Sequence, residues 1–102
     1  MKMKRYEMNN LKPTKFKLPI ANQLNKIIDE LNEAVEAYMD YEDAEKNLNN
    51  LKAEIAKEHM LEELCDVQVA VETLKVHNYR DLEIKKMEEF VNKKNKQRGY
   101  LK

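Results

Sequence analysis

The sequence predicts an all-α protein, and three observations carry that prediction. Gly occurs once and Pro twice, all near the ends as Pro13, Pro19 and Gly99, so no strong helix breaker interrupts Ile20 to Arg98. Only 13 residues are β-branched. A β-sandwich would also need turn residues every ~8–12 positions. Finally, apolar residues recur at the three- and four-residue steps of a helix face.

Residues 1–18 read as an irregular arm punctuated by Pro13 and Pro19, with Lys15-Phe16-Lys17-Leu18 alternating as an extended segment does. Residues 19–102 read as one domain. Its first helix runs from Pro19, which suits a first turn, to about Glu45, with an apolar stripe of Ile20, Leu24, Ile27, Ile28, Leu31, Val35 and Tyr38. Asn47, Asn49 and Asn50 mark a turn. A second helix from about Leu51 to Val76 carries Ile55, Met60, Leu64, Val67, Val71 and Leu74, widened by Cys65 and Val69. His77-Asn78 ends it. Asp81 is placed to cap a third helix, about Leu82 to Gln97, with Ile84, Met87, Val91 and Phe90.

The chain has 102 residues and 12.2 kDa, one domain's worth. A chain this short removes roughly two thirds of its unfolded surface from water at most. Two or three long helices leave an apolar face uncovered. The expected fold is therefore an antiparallel bundle of three long helices per chain, completed by oligomerisation.

Composition narrows the class further. Charged residues make up 37% of the chain and the mean hydropathy is −0.86, with no apolar run near ~18 residues, so no membrane span is expected. One cysteine, Cys65, forms no internal disulfide, and no apolar h-region follows the charged start. A soluble cytoplasmic protein is the expectation. The formal net charge of zero hides a pattern: +5 over residues 1–19, −9 over residues 20–66 and +4 over residues 67–102. Either the basic ends neutralise the acidic middle, or the acids hold cations while the bases hold an anion.

The acidic middle contains two pairs at i and i+3: Glu30 with Glu33, and Glu63 with Asp66. Each pair projects from one helix face, where like charges repel. Both pairs lie at the edges of the apolar stripes. Partly buried carboxylates need a compensating cation. In an antiparallel hairpin the pairs could converge into a site for a hard divalent ion, Mg2+ or Mn2+. The alternative is that they are solvated acids on helix faces. At the other end of the chain, Lys94, Asn95 and Arg98 offer a point charge, a neutral donor and a bidentate fork suited to phosphate. Their plainer role is to complement a helix C-terminus.

Together these residues resemble the MazG-like all-α nucleoside triphosphate pyrophosphohydrolases. Asp29-Glu30-Leu31-Asn32-Glu33 resembles that family's Glu-Glu-Leu-x-Glu block. Glu62-Glu63-Leu64-Cys65-Asp66-Val67 resembles its Glu-Glu-Leu-Gly-Asp-Val block, and Lys94-Asn95-Lys96-Gln97-Arg98 its Lys-Asn-x-x-Arg tail. The three occur in family order across residues ~20 to 100. Cys65 stands where the family has Gly, 29 residues separate Glu33 from Glu63, and there is no Trp. The resemblance implies hydrolysis of a ribo- or deoxynucleoside triphosphate to the monophosphate and pyrophosphate. It implies Mg2+ held by Glu30, Glu33, Glu63 and Asp66, with Mn2+ able to substitute, Glu33 as general base, and Lys94, Asn95 and Arg98 on the phosphates. It also implies a homodimer or homotetramer. Phosphoribosyl-ATP pyrophosphohydrolase is a related alternative.

Other readings compete. A non-enzymatic helical interaction module explains the stripes but not the paired acids. A nucleic-acid binder using Lys93, Lys94, Lys96, Arg98 and Lys102 is opposed by the −9 middle, so neither nucleic acid nor membrane is an expected partner. A di-iron bundle needs Glu-x-x-His, whereas Ala56 and Leu74 precede His59 and His77 by three. HExxH, EF-hand and P-loop motifs are absent. Tyr38, Tyr41, His59, His77, Tyr79 and Tyr100 could contact a base or ribose, but such residues more often pack in cores and interfaces.

Overall fold

A computed structural model describes residues 11–15 and 18–100. The arm's first ten residues, Phe16, Lys17 and Lys102 lie outside the described residues. The described part contains three helices: α1 (Ile20–Lys46), α2 (Asn50–Asn78) and α3 (Asp81–Gln97). Among the described residues there is no strand, and no helix is long and apolar enough to cross a membrane.

The helix ends follow local chemistry. Pro19 is the N-cap of α1, one position before the first turn, and its carbonyl accepts from the Gln23 N–H at 3.0 Å. At the other end the Asn49 N–H donates to the Ala44 carbonyl and the Leu48 N–H to the Glu45 carbonyl. This pattern needs a left-handed residue just past the cap. Leu48 fills that place with φ 55°. Asn49 then caps α2, its side chain accepting from the Lys52 N–H at 3.1 Å. Asp81 does not cap α3 but opens it. The cap is Arg80, whose N–H donates to the Glu83 side chain at 3.1 Å. Gly99 (φ 72°) closes α3 as Leu48 closes α1, with the Tyr100 N–H on the Asn95 carbonyl.

α1 and α2 form an antiparallel hairpin and share the main helix–helix interface. Its far end is tied by Asn78 Nδ2 donating to Gln23 Oε1 at 2.8 Å. The α1 side of the seam is Gln23, Ala34, Ala37 and Ala44, all buried, with Ile27, Glu30 and Tyr41 half-buried between them. Ala53, Glu63 and Thr73 are buried opposite on α2. Small side chains let the backbones approach. The arm joins the hairpin through the Thr14 N–H, which donates to Thr73 Oγ1 at 3.0 Å.

The expected apolar stripe is not this seam. Ile20, Leu24, Ile28, Leu31, Val35 and Tyr38 are about half exposed. They lie roughly a third of a turn round α1 from the alanines at 100° per residue. Ile55 and Leu64 on α2 are likewise exposed. Met60, Val67, Val71 and Leu74 are half-buried, as the periodicity suggests. α3 has only a small interface with the hairpin. It is anchored by Ile84, which is buried, and by Glu88, which pairs with Lys75 at 3.5 Å. Met87 and Phe90 are exposed.

Candidate functional site

The seam brings three of the four predicted carboxylates together. Glu30 and Glu33 stand one turn apart on α1, and Glu63 meets them from α2. One carboxylate oxygen from each lies within 4.8 Å of the others. Ala34 and Ala37 border the acids on α1 and hold the helices close enough for them to meet.

Burial differs sharply among the three. Glu33 is exposed and Glu30 half-buried, while Glu63 is only 7% exposed. One of its oxygens, Oε2, is buried without a hydrogen-bond partner. Lys26 pairs with Glu30 at 2.9 Å, and that carboxylate raises the Lys26 pKa. Glu33 is held above the usual carboxylate range by a hydrogen bond to Glu63 and then by the charge of Glu30. One lysine against three carboxylates leaves the cluster short of positive charge.

Asp66, the fourth predicted ligand, lies one turn beyond Glu63. It lines a cavity of about 420 Å³ together with Glu30 and Lys26. The cavity continues past Val69, Ala70 and Thr73 to Gln23, under Thr14 and Leu18 of the arm. Glu30 and Asp66 therefore mark one end of a largely apolar pocket, while Glu33 and Glu63 do not line it.

A second group shares Glu63. His59 Nε2 is 3.5 Å from Glu63 Oε1, and His59 Nδ1 is 3.9 Å from Glu62 Oε2. The ligand atoms of His59, Glu62 and Glu63 also fall within 4.8 Å of one another. Both His59 and Glu62 are well exposed. In the sequence His59 reads as a possible base or ribose contact or a packing residue, and it lacks the Glu-x-x-His spacing of a di-iron site. Its i, i+4 relation to Glu63 was the available signal.

The predicted phosphate-binding residues stand apart. Lys94 and Asn95 are half-buried near the end of α3, and Arg98 is exposed. Among the described residues no hydrogen bond or ion pair joins their side chains to the acids. The aromatic candidates do not line the cavity. Tyr38 and Tyr41 stack at an angle with ring centroids 6.4 Å apart, and Tyr79 and Tyr100 are exposed. Gln23, which the apolar pattern passed over, lies inside the pocket.

Comparison of the chain with known protein families, with curated proteins and with solved structures finds no match in any of the three.

Proposed function

We propose that the chain is a Mg2+-dependent nucleoside triphosphate pyrophosphohydrolase of the MazG-like kind, releasing pyrophosphate and a nucleoside monophosphate. The observation that carries this reading is the convergence of Glu30, Glu33 and Glu63 from two helices beside a cavity that Asp66 also lines. The donor set fits a hard divalent cation, since it is all oxygen and includes a buried oxygen, Glu63 Oε2, with no other partner. Glu30, Glu33, Glu63 and Asp66 would hold it. Bound there, Mg2+ supplies positive charge against the triphosphate and acidity to water.

The side chains divide the remaining work. Glu33 is the exposed member of the cluster and accepts the proton from the attacking water. Glu63, fixed in the seam, orients Glu33. The cavity beyond Asp66 shelters the nucleoside.

Lys94, Asn95 and Arg98 bind the phosphates in this reading, reaching them from a second copy or by a swing of α3. The exposed stripe of Ile20, Leu24, Ile28, Leu31, Val35 and Tyr38 supports a homodimer or homotetramer in which these faces complete a bundle. That same stripe favours a second reading, a non-enzymatic module that pairs with a partner helix.

Pyrophosphate release from the eight common NTPs and dNTPs, with Mg2+ and with EDTA, separates the two. Metal-dependent release from one or a few supports the enzyme. No release from any, with a stable oligomer and no Mn2+ binding, supports the module.

A further inference from the structure

Gln23 is a polar group of the cavity that the proposed chemistry does not use. It is only 4% exposed and has a buried Nε2 with no hydrogen-bond partner. The orientation of this amide is fixed from outside the cavity. Asn78 Nδ2 donates to the Leu74 carbonyl at 2.7 Å and to Gln23 Oε1 at 2.8 Å. A backbone carbonyl only accepts, so Asn78 must present its NH2 on that side. Gln23 must then present its oxygen to Asn78. Its own NH2 is left as a donor with nothing to donate to, which is costly inside a protein.

The neighbouring hydroxyl makes no hydrogen bond to it. Thr73 Oγ1 gives its proton to the Val69 carbonyl at 2.7 Å and accepts from the Thr14 N–H. Gln23 also lies seven residues, two turns, before Glu30, about 10 Å along α1 at 1.5 Å per residue. A nucleoside with its phosphates at the acids would bring the far edge of its base to the Gln23 end.

We propose that this cavity is a base subsite in which Gln23 Nε2 selects a base with an oxo group on that far edge. Uracil, thymine, hypoxanthine and guanine offer an acceptor there, whereas cytosine and adenine offer an amino group that would face the amide donor to donor. The inference rests on the pyrophosphohydrolase reading for the placement of the phosphates. Its test does not require turnover.

The full chain in EDTA is titrated with uridine, cytidine, inosine and adenosine by ligand-detected NMR. Uridine should bind at least about tenfold tighter than cytidine, or inosine than adenosine, as expected for a buried donor left unpaired by the wrong base. Gln23→Met should erase that preference, and Gln23→Glu, which places an acceptor there, should erase or reverse it, with far-UV CD unchanged in at least one variant. Equal affinities, an amino preference in the parent chain, no binding by any nucleoside, or a preference that survives both substitutions would overturn the proposal. Oxo-selective binding without pyrophosphate release from any triphosphate sinks the enzyme reading and leaves the subsite standing. Release with no base preference does the reverse.

Discussion

Glu33 on α1 and Glu63 on α2 face each other across the helix seam, and the hydrogen bond between them keeps the Glu33 proton on above the usual carboxylate range. Folding thus favours the protonated form of Glu33. The stability this contributes is complete at acid pH, below the ordinary Glu value, and is lost as pH rises through the raised value. In EDTA, Glu33→Gln should therefore raise the melting temperature at neutral pH and change it little in acid. A thermal melt series across that window checks this. An equal shift at both ends would mean that the pair does not communicate.

Divalent cations should act in the same direction as the missing proton. Mg2+ at about 100 times its dissociation constant should stabilise the fold by about 2.7 kcal/mol if it binds only the folded chain. Glu63→Gln and Asp66→Asn should each cut turnover by at least about a hundredfold while leaving the helical CD signal intact. Unchanged turnover in both variants would remove the carboxylates from the chemistry.

The exposed stripe of α1 should be an assembly face. Ile28→Lys together with Leu31→Glu should leave the helices formed and shift the chain to monomers in analytical ultracentrifugation. A parent chain that already sediments as a monomer would contradict this.

The α1–α2 connection offers a stability test independent of function. Leu48 holds φ 55° and is 86% exposed, so its side chain returns little for an unfavourable backbone. Leu48→Gly should stabilise by about 1 kcal/mol. Asn49→Ala, which removes the side-chain acceptor of the Lys52 N–H, should destabilise by about 1 kcal/mol. Opposite shifts in midpoint from adjacent residues are easily read in a urea titration.

The helices were legible in the sequence because breakers lie only at the ends and the three-four periodicity is long. The meeting of Glu30, Glu33 and Glu63 was legible because an i, i+3 pair has one direction to point in and the hairpin turns it toward the facing helix, whereas Asp66 falls outside the cluster, on the cavity wall. The packing face was not. Periodicity finds the most hydrophobic side of a helix, Leu24 to Tyr38, and assigns it to the nearest neighbour. The hairpin instead closes on Ala34, Ala37, Ala44 and Ala53, whose small side chains carry little weight in any hydrophobic pattern. Gln23 was missed because a polar side chain counts against burial in such a pattern, although it falls in register with Ile27, Glu30 and Ala34. The cap of α3 fell one residue earlier than expected because Glu83 reaches back to the Arg80 N–H.

The alanines have a consequence for how far a mutation can be felt. Ala37 is only 1% exposed and lies one turn from Glu33, so any larger residue there must wedge the two backbones apart. The seam works as a spacer gauge, converting the size of one aliphatic side chain into the gap between Glu33 and Glu63. A sequence that drifted from Ala to Val at this position would keep every acid and still set Glu33 and Glu63 further apart.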